Sequence, residues 1–355
     1  MRRSLREGAR VLVRMPAWLG DFVAAEPVVR ALLARGCRVT VAGARRFEPL
    51  LEPHPRLGFA SVERGVTPSP RAWRGHDVAI VLDGSWRGAW AACVAGIPER
   101  VGFASGARRI LLTHAFEPAL ERGATAIGNG VHGARPRRLP RPFSAACVEL
   151  ASSCGLEVTD RVPRVHVGAS ARESLDARLA RYGVAADERV FVVHAGARPE
   201  SSKGLPPDLT AALVRELAVA HAAPRVVIPC APGEETPARR AHELLPGSIL
   251  LDAPPLDVSE LAALHDRAAC VLTPDSGPRH VAHARTDAPT WVVCGSTDPR
   301  HTAEHGPHVR IVRVDVPCGP CHREVCPLAG DARNACMRRI EPRHLLDGAR
   351  SVAGH

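Results

Sequence analysis

Short apolar segments alternate with segments of helical spacing along most of this chain, and no other feature restricts its fold as much. The first example is VLVRMPAWLGDFVAAEPVVRALLARG, where 11–13 predict a short buried strand and the apolar residues of 22–33 recur at helical spacing. Further strands are predicted at 37–43, 76–84, 109–113, 189–196, 224–230, 270–277 and 289–295. Repeated strand–helix units of this kind predict an α/β chain with parallel sheets covered by helices.

The alternation occurs twice, on either side of a proline- and charge-containing link at 157–170, and a length of 355 residues suits two domains. In open parallel sheets, ligands bind outside the carboxyl ends of the strands. Candidates for chemistry are therefore the polar residues that follow predicted strands, namely Asp21, Asp83, His194, Cys230 and Asp275.

The net charge of +10 is concentrated in the first half of the chain. Residues 1–150 hold 23 Arg and 12 acidic residues, a balance of +11, whereas residues 151–355 hold 24 basic and 25 acidic residues, a balance of −1. Such a field attracts nucleic acid, an anionic membrane or an acidic ligand. An aromatic content of 4% and the lack of a helix-turn-helix or single-strand-binding motif argue against nucleic acid.

A Gly- and Pro-rich segment at 121–142 predicts a basic loop. Its arginines Arg135, Arg137, Arg138 and Arg141 suit an anionic saccharide or lipid headgroup, and a merely solvated loop is the alternative.

The sequence contains no run of about 18 apolar residues, which is the length that a membrane-spanning helix needs. The first residues, MRRSLREGARVLV, have neither a long apolar core nor a small-residue cleavage site. We therefore expect no secretory signal and a cytosolic protein.

Three strand-end turns of the second half suit phosphate or ribose. In TPDSGPRH, Ser276 and Gly277 place free backbone N–H groups at a helix amino terminus, with His280 one turn further on the same face. An ordinary capped helix, with Asp275 or Ser276 as the cap, fits that segment equally well. Lys203 is the only lysine among 47 basic residues, and it follows a strand end in HAGARPESSKGLP, where a compact ammonium charge suits phosphate.

The third turn is IPCAPGEETPARR, in which Glu234 and Glu235 enter a helix. Carboxylates there can accept hydrogen bonds from ribose hydroxyls or simply favour the helix dipole. The three turns together favour a nucleotide ligand, although neither GxGxxG nor GxxxxGK[ST] is present.

Four cysteines cluster near the end of the chain with the spacing C-x2-C-x4-C-x9-C, and they are Cys318, Cys321, Cys326 and Cys336. Their number and the leading C-x2-C suit structural zinc, but the later spacings are irregular. Structural thiols or a redox-sensitive pair remain alternatives.

Asp21 lies where the first strand gives way to the first helix. A carboxylate in that position can cap the helix by accepting from its free N–H groups. It can equally act as a general base toward a ligand at the strand end.

With these motifs in order, the chain resembles the bacterial lipopolysaccharide heptosyltransferases of glycosyltransferase family 9 over nearly its whole length. PAWLGDFVAAEPVVRALL is similar to the family's amino-terminal Gly-Asp signature, and DVAIVLDGSWRGAWAACVAGIPERVGF is similar to its mid-domain segment. DSGPRHVAHA matches its Asp-Ser/Thr-Gly…His helix, and CGSTDP matches its Gly-Pro-Thr-Asp-Pro turn. GARPESSKGLP has the length of the family's Gly-Ala…Lys-Arg-Trp-Pro loop, but Gly204 and Leu205 replace its Arg-Trp. Ser296 replaces the proline of the Gly-Pro-Thr-Asp-Pro turn.

The resemblance implies a glycosyltransferase B fold with two Rossmann-like domains whose parallel sheets face a central cleft. It implies an acceptor-binding domain at 1–165, a domain at 166–337 that binds ADP-heptose, and a helix at 338–355 that returns to the first domain. The reaction implied is an inverting transfer of heptose, without a metal or cofactor, to the anionic lipopolysaccharide inner core at the inner face of the cytoplasmic membrane. A transferase or binding protein of the same fold for another nucleotide sugar or acceptor is the alternative.

The resemblance also assigns roles to the residues named above. It makes Asp21 the base that deprotonates the acceptor hydroxyl, and the basic loop part of the acceptor site. The donor would be held by Lys203, Asp275, Ser276, Gly277 and His280 at the diphosphate and sugar, with Glu234 or Glu235 on the ribose side.

Overall fold

In this computed structural model, residues 5–104, 106–117, 140–195, 200–220, 225–302 and 306–347 are described. They form two compact units, one of Met1–Glu48 and Pro53–Pro163 and the other of Pro49–Glu52 and Arg164–His355. The α/β class predicted from the sequence is confirmed, because each unit contains one six-stranded sheet whose pairs are all parallel.

The sheet of the first unit has the strand order β3-β2-β1-β4-β5-β6. Its strands are β1 Arg10–Arg14, β2 Arg38–Gly43, β3 Leu57–Ser61, β4 Val78–Val81, β5 Glu99–Phe103 and β6 His114–Phe116. The helices of this unit are α1 Leu19–Ala34, α2 Trp86–Val94 and α3 Phe143–Ser153. The apolar residues of β1 and β4 are buried on both faces, as expected for a parallel sheet between helices.

The sheet of the second unit has the order β12-β11-β10-β7-β8-β9. Its strands are β7 Val190–Val193, β8 Val226–Pro229, β9 Ile249–Leu251, β10 Ala268–Pro274, β11 Thr290–Val293 and β12 Val309–Val312. Its helices are α4 Ala169–Ala180, α5 Pro207–Ala220, α6 Glu235–Leu244, α7 Val258–Asp266, α8 Gly277–Arg285, α9 Ala335–Arg338 and α10 His344–Asp347.

Both sheets have the doubly wound order in which the chain starts in the middle and reverses direction once. The reversal leaves a crevice between β1 and β4 in the first sheet and between β7 and β10 in the second. Ligands of doubly wound sheets bind at this point, outside the carboxyl ends of the two strands. The topology therefore selects two of the loops in each unit, those after β1 and β4 and those after β7 and β10.

The strand predicted at 109–113 is wrong. Gly106–Leu111 form a 3-10 helix, and Ile110 in the middle of the segment is 82% exposed. An apolar run forms a strand only where a sheet buries it. Here the sixth strand of the sheet, β6, begins at His114, after the 3-10 helix has ended at Leu111.

The last residues of the described chain pack within the second unit. Ile340 and Leu345 are 2% exposed and belong to the same apolar cluster as Phe191 and Leu272. The return of 338–355 to the first domain stays a prediction, and 348–355 lie outside the described residues. No helix in the described part of the chain is both long and apolar enough to cross a membrane.

Candidate active site

Asp21 lies in the first turn of α1, and the topology places that turn near the crevice of the first sheet, because α1 begins at Leu19, shortly after β1 ends at Arg14. The cap of α1 is Trp18, whose side chain makes no capping bond, and Asp21 is the third residue of the helix. Its carboxylate therefore favours the helix dipole, worth about 0.3–1 kcal/mol, but it is not the helix cap. Asp21 is half-buried, and its charge contributes to raising the pKa of the buried Cys147 thiol in α3.

Asp83 lies on the other side of the same crevice, after β4, and is 7% exposed. Its Oδ2 lies 3.2 Å from Nε of Arg14, the last residue of β1, and accepts a hydrogen bond from Ser85 Oγ at 2.7 Å. Burial raises the pKa of Asp83, and the Arg14 charge only partly offsets this effect. A buried, ion-paired carboxylate is less accessible to a ligand than half-buried Asp21.

Arg108 brings a second buried guanidinium to this carboxylate. It is 2% exposed, its Nη2 donates to the Val81 carbonyl at 3.2 Å, and its Nε and Nη1 have no hydrogen-bond partner among the described residues. Its charge lowers the pKa of Asp83, while burial lowers the pKa of Arg108 itself. The crevice of the first sheet is thus lined by more positive than negative buried charge, which favours an anionic ligand nearby.

Lys203 and Asp275 lie on the two sides of the crevice of the second sheet, after β7 and β10. Ser202, the residue before Lys203, lies 2.8 Å from Ser296 between the hydroxyl oxygens, and the adjacent Thr297 donates to Asp275, so the two loops meet. The Lys203 charge also makes a small contribution to the pKa of Asp275 and of His280, after the larger effects of burial and Arg279. Lys203 is half-buried. The structure therefore brings together residues that are far apart in the sequence and that we predicted to bind the donor.

Asp275 is buried, and both oxygens of its carboxylate accept hydrogen bonds from other side chains of the protein. Oδ1 accepts from Arg279 Nη1 at 2.8 Å, and Oδ2 accepts from Thr297 Oγ1 at 2.5 Å. Burial alone would raise the pKa of Asp275, but the charge of Arg279 and these hydrogen bonds hold it below its usual value. With an exposed fraction of 2%, this carboxylate is placed to hold α8 and the loop of Thr297 in position.

At the amino terminus of α8, the Ser276 N–H donates to the Pro274 carbonyl and the Arg279 N–H to the Ser276 carbonyl, and residue 278 is a proline without an N–H. The Gly277 N–H is therefore the donor that this turn offers to a ligand. Ser276 is the cap residue, and its side chain makes no capping hydrogen bond. Gly277 is the first residue of the helix and His280 lies one turn in. His280 is half-buried, and burial followed by the Arg279 charge lowers its pKa to about 3, so its imidazole is neutral at pH 7.

Glu234 and Glu235 lie one strand further along the sheet, after β8. Glu234 is the cap residue of α6, and the Glu235 carboxylate accepts from the Gly233 N–H at 3.0 Å, which lowers its pKa. Their charges contribute to raising the pKa of the neighbouring Cys230 to about 12. Both carboxylates are half-exposed at the carboxyl edge of β8.

The turn that carries Lys203 is braced by a segment much later in the chain. Ser202 Oγ lies 2.8 Å from Ser296 Oγ, and the Ser202 N–H donates to the Glu324 carbonyl at 2.8 Å. Ser201 also forms an isolated antiparallel bridge with Val325. The Ser296 hydroxyl, which replaces a proline of the family pattern, therefore has a partner in this structure, and Leu205 fills the core at 2% exposed.

Two of the strand-end candidates lie in the core. His194 is 5% exposed, and its Nε2 lies 3.3 Å from Nε2 of His265, which is fully buried. Cys230 is 3% exposed. Neither side chain presents a polar atom to the crevice, so position at a strand end is not sufficient for a functional role.

The arginines predicted to bind the acceptor are Arg135, Arg137, Arg138 and Arg141. Arg135, Arg137 and Arg138 lie outside the described residues. Arg141 is paired with Glu149, to which its Nη1 donates at 2.6 Å. Its charge is thus already engaged within the first unit.

The four clustered cysteines lie in one region of the second unit. Cys318, Cys321 and Cys326 each contribute to raising the pKa of Cys336, after the larger effect of burial. Cys326 Sγ accepts from the Asn334 N–H at 3.3 Å. Within the described ranges, no group of three or more His, Cys, Asp or Glu side chains is arranged to hold a metal ion.

Two doubly wound units in one chain, each with charged side chains at its switch point, are typical of the glycosyltransferase B fold. The comparisons with known proteins agree. The family described as glycosyltransferase family 9 (heptosyltransferase) matches residues 71–330. The chain therefore belongs to glycosyltransferase family 9, the heptosyltransferases, and it is a glycosyltransferase.

Solved structures of the family have the same fold at low sequence identity. The ADP-heptose lipopolysaccharide heptosyltransferase II of E. coli is 19% identical over 96% of this chain and 97% of its own, with a TM-score of 0.70. A family 9 glycosyltransferase from Veillonella parvula is 15% identical over 99% and 98%, with a TM-score of 0.75. The E. coli heptosyltransferase WaaC with ADP-2-deoxy-2-fluoro heptose is 18% identical over 86% and 93%, with a TM-score of 0.57. The search of the curated proteins finds no match.

Five residues that shape the two sites were not found from the sequence: Arg14, Arg108, Arg279, Thr297 and Ser202. Three of them are arginines in a chain where 46 of the 47 basic residues are arginine, so their residue type carries no signal. Thr297 does lie in the CGSTDP turn, which the resemblance singled out as a motif without giving it a role.

Proposed function

We propose that this protein transfers heptose from ADP-heptose to the anionic inner core of lipopolysaccharide, with inversion at the anomeric carbon and without a catalytic metal. The observation that carries the proposal is that the turn of Lys203 meets the start of α8 at the switch point of the second sheet, through the Ser202–Ser296 and Thr297–Asp275 hydrogen bonds. An ammonium group and a free N–H at a helix amino terminus are donors suited to a nucleotide diphosphate. A solved relative at 18% identity holds an ADP-linked fluoro-heptose.

In this proposal the second unit binds the donor. Lys203 and the Gly277 N–H neutralise the diphosphate, while neutral His280 forms hydrogen bonds to the sugar or phosphate without adding charge. Glu234 or Glu235 accepts from the ribose hydroxyls. Asp275 acts through Arg279 and Thr297, and its buried carboxylate holds α8 in position for these contacts.

Asp21 is proposed as the base. The acceptor hydroxyl attacks the anomeric carbon from the face opposite ADP, a new C–O bond forms, and the old bond to the phosphate oxygen breaks with its electron pair leaving on ADP. The hydroxyl proton passes to the Asp21 carboxylate. Its half-buried position at the first crevice supports this role better than the buried position of Asp83, which is ion-paired with Arg14.

The acceptor would be held by the domain at 1–165, whose balance of charge is positive. The arginines of the basic loop would contact the carboxylates and phosphates of the inner core. An anionic acceptor embedded in the inner leaflet also implies a peripheral position at the membrane surface.

The test is to incubate the protein with ADP-heptose and defined inner-core acceptors, with and without EDTA, and to identify the product by mass. We expect one added heptose, release of ADP, an inverted anomeric centre by NMR, and activity that survives chelation. A requirement for added magnesium or manganese would contradict the metal-independent mechanism. Release of free heptose without transfer would indicate a nucleotide-sugar hydrolase on the same fold.

Asp21→Asn separates catalysis from helix stability. Asn removes the carboxylate's contribution to the helix dipole, about 0.3–1 kcal/mol, and cannot accept the proton. We expect near-normal thermal stability, normal ADP affinity and a kcat lower by about 10²–10⁴-fold. Asp83→Asn is the comparison, and a variant of Asp21 that keeps its kcat would move the search for the base to Asp83.

A further inference from the structure

Two tryptophans of the first unit are exposed to an unusual degree. Trp18 is 49% exposed and Trp86 is 50% exposed, whereas Trp73 and Trp291 are buried at 1% and 3%. The proposed mechanism gives the exposed pair no role. Large aromatic side chains in water mark interaction surfaces when they occur together, since single exposed apolar residues are common.

Both exposed tryptophans follow strands that end at the same edge of the first sheet. Trp18 follows β1, which ends at Arg14, and Trp86 follows β4, which ends at Val81. These two end residues are partners in the β1–β4 register, so the two loops begin side by side at the switch point. Trp18 is the cap residue of α1, three residues before Asp21, and Trp86 is the first residue of α2, three residues after Asp83.

Each ring is held on one face by a neighbour. The Arg64 guanidinium lies 3.8 Å from the centre of the Trp18 ring, and Trp90, one turn along α2, stacks on Trp86 at 6.0 Å with an angle of 22°. A ring that is covered on one face and half exposed offers its other face in a fixed orientation. The space at Gly84, two residues before Trp86, is open, because a Cβ added there would meet no atom within 4 Å.

We infer that Trp18 and Trp86 form a stacking subsite for sugar rings of the acceptor, an inference that rests on the proposed function. One face of a pyranose is lined by C–H bonds, and these pack against the electron-rich face of an indole, while the hydroxyls at the ring edge stay in contact with polar groups. The Arg64 guanidinium supplies such a polar group next to Trp18, whereas the Ser85 hydroxyl next to Trp86 is already bonded to Asp83 and to the Gly88 N–H. A lipid chain would require a continuous apolar surface, which these neighbours interrupt.

The test uses a deacylated inner-core oligosaccharide that contains Kdo and heptose, so that no acyl chain contributes to binding. Trp18→Ala and Trp86→Ala should each raise the KM for this acceptor about tenfold and leave the KM for ADP-heptose unchanged. Trp18→Phe and Trp86→Phe should recover most of the loss, because a smaller aromatic face remains. Ile110→Ala removes an exposed apolar side chain of the same unit and serves as the control, with no effect expected.

An unchanged acceptor KM in both alanine variants would overturn the inference and leave the proposed function intact. The same holds if the effect appears only with acylated acceptor in anionic phospholipid vesicles, since the rings would then contact the membrane. If the wild-type protein transfers no heptose, quenching of tryptophan fluorescence by the same oligosaccharide decides the matter. Quenching that disappears in the alanine variants would support the subsite, and no quenching in the wild type would overturn it.

Discussion

Among single residues, Lys203 supplies the charge on which donor binding is proposed to depend. Replacing it by Ala removes a charge-assisted bond to phosphate and should weaken ADP binding by about 1.5–3 kcal/mol. Calorimetric titration with ADP measures this directly. Lys203→Arg is the matched control, because it keeps the charge with a different geometry and should lose less affinity. An unchanged ADP affinity in the alanine variant would contradict the assignment.

The sequence predicted a role for Lys203 because its residue type is unique in this chain. It could not identify Arg108 or Arg279, since arginine fills nearly every other basic position and only burial distinguishes these two. It also gave Asp275 a direct contact with the donor. The structure shows both oxygens of that carboxylate bound to Arg279 and Thr297, a pairing that depends on how two loops meet and not on local sequence.

At the scale of elements, the start of α2 is packed tightly against the ion pair of Arg14 and Asp83. A Cβ at Gly88 would lie 2.9 Å from Asp83 Oδ1 and 3.1 Å from Arg14 Cγ. Ala is better than Gly in a helix by about 1 kcal/mol, but here the overlap with buried charged groups dominates. We expect Gly88→Ala to lower the free energy of unfolding by about 1–3 kcal/mol.

Gly84→Ala is the control for this substitution, because the space around Gly84 is open and its backbone needs no positive φ. Its effect should stay within about 0.5 kcal/mol. Urea unfolding of the two variants measures the difference. Equal stabilities would mean that α2 can shift away from the carboxylate without cost.

The contact between β7 and α7 should make the second unit sensitive to acid. Burial lowers the pKa of His194 to about 3 and that of His265 well below its usual value, so both are neutral in the folded protein. In the unfolded chain each takes up a proton near pH 6.5. Their contribution to the free energy of unfolding is therefore fully present above about pH 6.5. Below that pH it is lost at about 1.4 kcal/mol per pH unit for each histidine.

The variant His194→Leu/His265→Phe tests this cause. It should lose stability at pH 7 through imperfect packing, yet show a smaller loss between pH 7 and pH 5 than the wild type. Thermal unfolding at the two pH values measures the difference. His114→Gln, at a half-buried histidine of the first unit, should leave the pH dependence of the second unit unchanged. A double variant as acid-sensitive as the wild type would assign the effect to other groups.

Strands with a clearly apolar sequence were predictable, and strands with a less apolar sequence were not. The strands predicted at 37–43, 189–196 and 289–295 are found as β2, β7 and β11. β3 contains a glycine, and β5 contains a glycine and two charged residues. Their paired neighbours in the sheet provide the stability that their own sequences do not indicate. The segment 109–113 has the opposite property, a strand-like sequence that the sheet does not bury.

Across the whole molecule, the charge is divided as a donor half and an acceptor half would require. The second half has a net charge of −1, and the diphosphate site proposed for it depends on a few individual groups. The first half carries a net charge of +11, which is more than one ligand contact would use. The broad positive field of such a charge increases the rate at which an anionic partner associates. Added salt should therefore raise the KM for the acceptor more than the KM for ADP-heptose.

Charge reversal tests the same division directly. Arg135→Glu/Arg137→Glu/Arg138→Glu should raise the acceptor KM, because each cation near an anionic surface contributes about 1 kcal/mol, and should leave the donor KM unchanged. Arg141→Glu would also break the pair with Glu149 and is better kept out of the variant. Arg181→Glu/Arg338→Glu/Arg339→Glu reverses three exposed arginines of the second half and changes the net charge equally. If this control raises the acceptor KM as much as the loop variant, total charge governs capture; if the loop variant raises the donor KM instead, the roles of the two halves are exchanged.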